Sequence, residues 1–336
     1  MGKVRFVIVS LLALALLAAC RGDDSTTPTP SPAPATKTAS PTSLRATPTR
    51  TPRPTASPSP TPSASPTPTP SPTPVVSNID VSGSPARQGG FLIVRLLNQP
   101  ANLPWVNAGF DGALYPMSRS GERWFAYVPL GQYVAVGGYT LEVTSEAGTI
   151  ASGQVTVTEG GFQFESIDLP PSSIDLLSDQ AAIDAERAAL AGAFGGFTQE
   201  KKWSGPWAVP APGPISNGFG LQRSFNGGPY SGHSGTDIAN DEGTPLFAAA
   251  AGIVTLAEEL YLFGNAVVID HGAGVFSSYS HMQEISAVAG QEVAQGDLIG
   301  EMGETGFVSG SHVHWEAIVH GTRVDPMLFT QTGIEP

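Results

Sequence analysis

Apolar and polar residues alternate in short stretches over most of residues 78–336, and glycine-rich breaks separate the stretches. Residues 91–97 form a strongly apolar strand candidate. Tyr139, Leu141 and Val143 alternate with polar neighbours, 145–148 supplies a turn, and Val155 and Val157 alternate again. Short strands at that spacing predict a small immunoglobulin-like β sandwich over 78–168. The period then changes. Ile183, Leu190 and Phe194 follow helical spacing, Ser178 is placed to cap the helix, and Gly195-Gly196 ends it. Residues 169–202 therefore read as a helical linker whose helix packs across the joint. From Trp203 short strands return, including 266–269 and 275–279, and predict a second, mostly antiparallel β unit over 203–336. The fold class is mainly β, with one short connecting helix.

The first 77 residues lack this patterning. An apolar run over 6–17 follows Lys3 and Arg5; it is too short and wrongly flanked for a spanning helix and reads as an export signal. It ends in Leu17-Ala18-Ala19-Cys20, which resembles the bacterial lipobox. The resemblance makes 1–20 a lipoprotein signal and implies lipidation of Cys20, so that the chain is exported and held on the cell membrane, facing the cell wall or periplasm. Cys20 is the single cysteine, so no internal disulfide is possible. Residues 21–77 are dominated by Pro, Thr, Ser and Ala; between 25 and 76 the only charges are Lys37, Arg45, Arg50 and Arg53. With no apolar face to bury, this stretch reads as a disordered tether biased to polyproline II, about 150 Å long if extended.

Charge narrows the partners. The net charge of −13 conceals a balance of −18 over 78–336, where nine Lys/Arg face 27 Asp/Glu. Such a surface repels phosphate backbones, so nucleic acid is not an expected partner. The sandwich shows no titratable cluster. It reads as a spacer or positioning unit, with wall binding or covering of the active site as alternatives.

Candidate chemistry is confined to the last third. His233-Ser234-Gly235-Thr236-Asp237 puts an imidazole and a carboxylate four residues apart. Gly232 and Gly235 argue against a helix there and for a loop that enters a strand at residue 236. In an extended segment His312 and His314 share one face. Two such imidazoles can share a metal, or one can bind it while the other handles protons. Imidazole and carboxylate together suit Zn²⁺ when one coordination position stays open.

The wording around these residues is more specific. Residues 232–239 (GHSGTDIA), Tyr279-Ser280-His281-Met282, Gly303-Glu304-Thr305-Gly306, His312-Val313-His314-Trp315-Glu316 and Val324-Asp325-Pro326 resemble the lysostaphin-type zinc endopeptidases of the M23 class over about 213–329. The resemblance implies one Zn²⁺ per chain held by His233, Asp237 and His314, with His281 and His312 as the catalytic histidines. It implies an M23-type antiparallel β peptidase domain that hydrolyses peptidoglycan peptides. His312 is expected as the general base and proton donor, and His281 as the group holding the carbonyl oxygen, with the two roles exchangeable. No His-Glu-x-x-His motif offers a glutamate base instead. Some latent relatives use an upstream asparagine as a fourth ligand, but Asn217 before Gly218 reads as a turn residue. Glu316 lies on the strand face of His314 as a possible partner of that ligand, or as a solvated charge. His271 matches a turn of the family and reads as structural, and His320, before Gly321 in a hairpin turn, is given no role. Phe219, Tyr230, Phe263, Phe307 and Trp315 are the expected groove walls. Val308, Ser309 and Ser311 depart from the family's usual loop and bear on its shape and substrate fit. The competing readings are a catalytically silent wall-binding or amidase-activator protein on the same fold, and a secreted peptidase acting on proteins.

Overall fold

In a computed structural model of the chain, residues 78–83, 86–99, 103, 105–168, 176–332 and 336 are described. The signal, lipobox and tether expected over 1–77 lie outside them. Among the described residues no helix is long and apolar enough to cross a membrane.

The first unit is a sandwich of two four-stranded antiparallel sheets. One sheet has the order Asn78–Gly83, Gly90–Leu97, Arg123–Leu130, Ser118–Ser120; the other has Ala113–Pro116, Asn107–Phe110, Gly137–Ser145, Gly148–Val157. In chain order these are strands 1-2-6-5 and 4-3-7-8, the arrangement of an immunoglobulin-type sandwich, as the alternation predicts. The Tyr139 hydroxyl donates to the Ala135 carbonyl at 2.7 Å, the corner contact of such sandwiches. Residues 91–97 read as near-continuously apolar because Gly90–Leu97 is buried on both faces. Leu92, Val94 and Leu96 fill the sandwich, while Phe91 and Ile93 join a core shared with the second unit. Phe91 stacks on Phe329 at 4.5 Å, Phe329 on Trp207 at 4.3 Å, and Tyr127 on Trp203 at 5.6 Å. The two units are thus joined by an aromatic seam rather than a bare linker. Phe91→Ala is expected to lower the unfolding free energy by about 3–5 kcal/mol, read by chemical denaturation, because it empties a site with no solvent access.

A second departure from simple succession is the strand Phe164–Ile167. It falls within the stretch read as sandwich, yet pairs in parallel with Gln222–Phe225, which in turn pairs antiparallel with Tyr230–Gly232.

The second unit is built on a ten-stranded antiparallel sheet. Its main path runs Ile215–Asn217, Thr236–Ala239, His312–Val319, Val275–Ile285, Gly264–Gly272, Gly252–Leu260, Glu292–Val293. One face carries Ile238, Val313, Trp315, Ala317, Val319, Val267, Ile269 and Tyr279 into the shared core. On the other face, Phe276, Val268, Ile318 and Leu256 receive Leu190 and Ala193 of the helix Gln180–Phe194. The helix begins one residue later than the sequence indicates: Asp179, not Ser178, is the cap, its side chain accepting from the Ala182 amide at 3.0 Å.

His271 ends a central strand with no solvent exposure. Its Nδ1 donates to the Ala251 carbonyl at 2.8 Å and its Nε2 lies 2.7 Å from the Ser277 hydroxyl. Burial pushes its pKa down to about 4, partly offset by the Ala251 bond. The folded state therefore binds fewer protons than the unfolded one between that value and the ordinary 6.5. This contribution, about 3 kcal/mol, is complete above pH 6.5 and is lost as pH falls toward 4. Denaturant titrations at pH 7.5 and 4.5 are expected to show a smaller pH difference in His271→Gln; an unchanged difference would contradict the assignment.

Candidate metal centre

Antiparallel pairing places Asp237 opposite His314 and Ala239 opposite His312 on adjacent strands. Alternation then sends His312, His314 and Glu316 to one face, as expected from the sequence, and Val313 and Trp315 to the core. Trp315 has no exposure, so it is not a groove wall. His233 sits on the loop before the Thr236–Ala239 strand. Gly235 is required there, since a Cβ would meet the Trp315 carbonyl and the His314 ring.

His281 reaches this face by a different device. Tyr279 and Met282 pair with Val267 and Asn265, so three residue steps oppose two, and a bulge lies between. Unbroken alternation would turn His281 to the side of Tyr279 and Trp315. His281 instead adopts φ +65°, rare for a non-glycine residue, and its ring lies 4.9 Å from that of His312 and 6.1 Å from that of His314.

Three donor atoms meet at one point. His233 Nε2 is 3.1 Å from Asp237 Oδ1 and 3.1 Å from His314 Nδ1, and His314 Nδ1 is 2.8 Å from Asp237 Oδ1. All three residues are buried. The outer ring nitrogens are already committed: His233 Nδ1 donates to the Gly218 carbonyl at 2.8 Å, and His314 Nε2 lies 3.4 Å from Glu316 Oε1 and 3.3 Å from Ser234 Oγ. In neutral imidazoles this leaves two bare lone pairs and a carboxylate oxygen facing one another, an arrangement that calls for a cation. Ligands of a tetrahedral zinc stand ~3.3 Å apart, close to these separations. The residues fit the metal.

The electrostatics agree. Burial alone would raise the Asp237 pKa, but where the imidazoles carry protons in place of a metal, the His233 charge and hydrogen bonds from His233 and His314 hold it well below the usual carboxylate range. Burial would lower that of His314, yet its bonds to Asp237 and Glu316 push it up to about 9. Both shifts report a demand for positive charge at the same point.

His312 and His281 are oriented in the same way. His312 Nδ1 donates to the Gly310 carbonyl at 2.8 Å, and its buried Nε2 has no hydrogen-bond partner among the described residues, lying 3.7 Å from Asp237 Oδ1. His281 Nδ1 donates to the Thr305 carbonyl at 2.9 Å. Burial lowers the pKa of both, and for His281 the neighbouring His312 and His314 charges lower it well below the ordinary value.

Two supporting residues differ from their sequence reading. Asn217 is not merely a turn former: its amide donates to Asp237 Oδ2 at 3.1 Å, while its oxygen accepts from Arg223. It orients the carboxylate instead of offering an oxygen to the metal. Glu316 is fully buried and accepts from Arg323 Nε at 2.6 Å. Burial would raise its pKa, but Arg323 and His314 bring it down to about 2, so it is no solvated charge. Beside the centre a groove of about 460 Å³ is lined by Ser216, Asn217, Ala239, Asn240, Asp241, Gly310 and Ser311. Of the loop departures noted above, Ser311 is thus in contact with this groove. Phe263 is buried below the imidazoles, and the exposed Tyr230 packs edge-on against Phe164 at 5.2 Å.

Residues 231–326 match the model of Peptidase family M23, so this part of the chain is an M23 peptidase domain. Over 95 residues it is 41% identical to the peptidoglycan DD-endopeptidase ShyA of Vibrio cholerae, covering 28% of this chain and 22% of that protein. Over 126 residues it is 35% identical to the lipoprotein NlpD/LppB homolog of Pseudomonas aeruginosa, covering 37% of this chain and 40% of that one. The chain thus spans only about a fifth to two fifths of these relatives. A crystal structure assigned to peptidase M23 from Pseudomonas aeruginosa superposes with a TM-score of 0.53 at 28% identity, over 73% of this chain and 95% of the other.

Proposed function

We propose that the chain is an exported zinc metalloendopeptidase, tethered to the membrane through lipid on Cys20, that hydrolyses peptide bonds in peptidoglycan stems or cross-bridges. The observation that carries the proposal is the meeting of His233 Nε2, Asp237 Oδ1 and His314 Nδ1 within 4.8 Å of one another beside two further inward-facing imidazoles. The names of the relatives, a DD-endopeptidase and a lipoprotein, favour cross-links between D-amino acids as the bond and the cell envelope as the compartment.

In this reading His233, Asp237 and His314 hold the zinc, which when bound polarises a carbonyl and brings the pKa of a water toward about 7. His312, neutral and with Nε2 bare, takes a proton from the attacking water and passes it to the leaving amine. His281 begins as a second acceptor, because its Nδ1 proton is committed to Thr305. It donates to the carbonyl oxygen only in its protonated form, so the proton it holds decides which of its two roles it plays. Glu316 keeps the His314 ring in the tautomer that points Nδ1 inward, and Asn217 keeps Asp237 turned toward the imidazoles.

Elemental analysis of the purified chain is expected to find one zinc per chain. Chelation should remove it together with cleavage of a cross-linked muropeptide, and added zinc should restore both. One zinc without cleavage would instead favour the silent wall-binding reading. For the anchor, a Cys20→Ala chain should no longer incorporate labelled fatty acid and should leave the membrane fraction.

A further inference from the structure

The apolar stripe of the helix Gln180–Phe194 contains a carboxylate. Ile183, Glu186, Leu190 and Ala193 are its buried residues, and Glu186 is only 4% exposed. A buried carboxylate is costly unless its oxygens find donors. Here Glu186 Oε2 accepts from the Leu262 amide at 2.6 Å and the Phe263 amide at 3.1 Å. These amides belong to the tip of the hairpin that joins Gly252–Leu260 to Gly264–Gly272, where the ladder closes at Leu260 and Gly264.

The same tip holds His281. The Phe263 carbonyl accepts from the His281 amide at 2.8 Å, the bond that secures the bulge, and the Phe263 ring lies nearly parallel to the His281 ring, 8° apart in plane. On its far side the tip is pressed against the segment that fixes the His281 ring. The Phe307 amide donates to the Leu262 carbonyl at 2.8 Å, and a Cβ on Gly264 would run into Thr305, whose carbonyl accepts from His281 Nδ1. Backbone and ring of His281 therefore both depend on where residues 261–264 sit. Glu186 ties those residues to the helix through its two hydrogen bonds.

We propose that Glu186 is a positioning residue for His281: its carboxylate fixes the hairpin tip and, through the Phe263 carbonyl, the bulge that aims His281 at the metal centre. The link to catalysis rests on the zinc peptidase reading of that centre. Glu186 touches neither the metal donors nor the substrate groove, so its effect is on the geometry of one imidazole. Neither charge nor acidity is required; an acceptor for two amides is.

The test uses the full chain in three variants. Glu186→Met keeps the length of the side chain and removes the acceptor, Glu186→Gln keeps an acceptor oxygen, and Glu186→Ala lets water reach the amides should the methionine variant not fold. In Glu186→Met, hydrogen exchange at the amides of Leu262, Phe263 and His281 is expected to quicken at least about tenfold. The kcat for a cross-linked muropeptide should fall by about ten- to a hundredfold, with KM and zinc content unchanged. Glu186→Gln should recover most of both. Unchanged exchange at the His281 amide in Glu186→Met and Glu186→Ala, or a glutamine variant as impaired as the methionine one, would overturn the proposal. A wild-type chain that cleaves nothing would sink the peptidase reading instead, while the exchange data would still decide the role of Glu186.

Discussion

His312→Ala is expected to keep one zinc per chain and to lose about 10²–10⁴-fold in the rate of peptide cleavage. The two halves of this expectation have separate causes. The donors that meet at the centre are His233, Asp237 and His314, and His312 is not one of them; its Nε2 stands 3.7 Å from Asp237 Oδ1. Removing it leaves the donor set intact. What is lost is a buried lone pair, without a partner among the described residues, on a ring whose orientation is set by the Gly310 carbonyl and whose pKa is lowered by burial, so that it stays neutral and able to accept a proton. The nearest other imidazole, His281, has its ring centre 4.9 Å away and its direction fixed by the Thr305 carbonyl, so it does not fill the place of His312. Rates measured on a cross-linked muropeptide beside elemental analysis separate the two halves. Cleavage at the wild-type rate would show that His312 does not carry the proton.

Asp237→Ala should have the opposite signature, with zinc lost and cleavage lost with it. Asp237 is the one anion among the three donors, it has no solvent exposure, and both imidazoles approach the same oxygen. Without it, two lone pairs face each other with no carboxylate between them, and the charge of the metal is left without its nearest counter-charge in a site where solvent screens little. Asn217 is deprived of its acceptor at the same time. Zinc content after dialysis is the direct readout. Near-stoichiometric zinc in Asp237→Ala would mean that the metal sits elsewhere, and the donor assignment would fall.

The parts of this site that follow a simple period were legible in the sequence. Strand alternation puts His312 and His314 on one face, and Gly232 and Gly235 mark the loop that brings His233 to them. The same alternation, carried one residue further, places Trp315 in the core, where its exposure is zero; the period, not the aromatic character, decides its place. His281 was legible as a participant only through the family resemblance. Its direction depends on a bulge and a positive φ, and nothing in Tyr279-Ser280-His281 announces either. Asn217 was read from its following glycine, a local signal, while its role comes from a strand pairing across twenty residues of chain. Glu186 is not legible as a site residue, because a polar residue that interrupts an apolar pattern carries no motif; the one hint is its place between Ile183 and Leu190 on the stripe. The aromatic seam shows the same limit from the other side. The sequence marks 91–97 only as a strongly apolar strand; that its second face is covered, and by the second unit, is set by tertiary packing that no local pattern encodes.

The most direct test of the account is digestion of purified, cross-linked peptidoglycan by the chain, with and without a zinc chelator, followed by mass analysis of the released fragments. The account predicts new amino termini from cleaved peptide cross-links that vanish with chelator and return with added zinc. Release of no fragments by a chain that holds its full complement of zinc would contradict it.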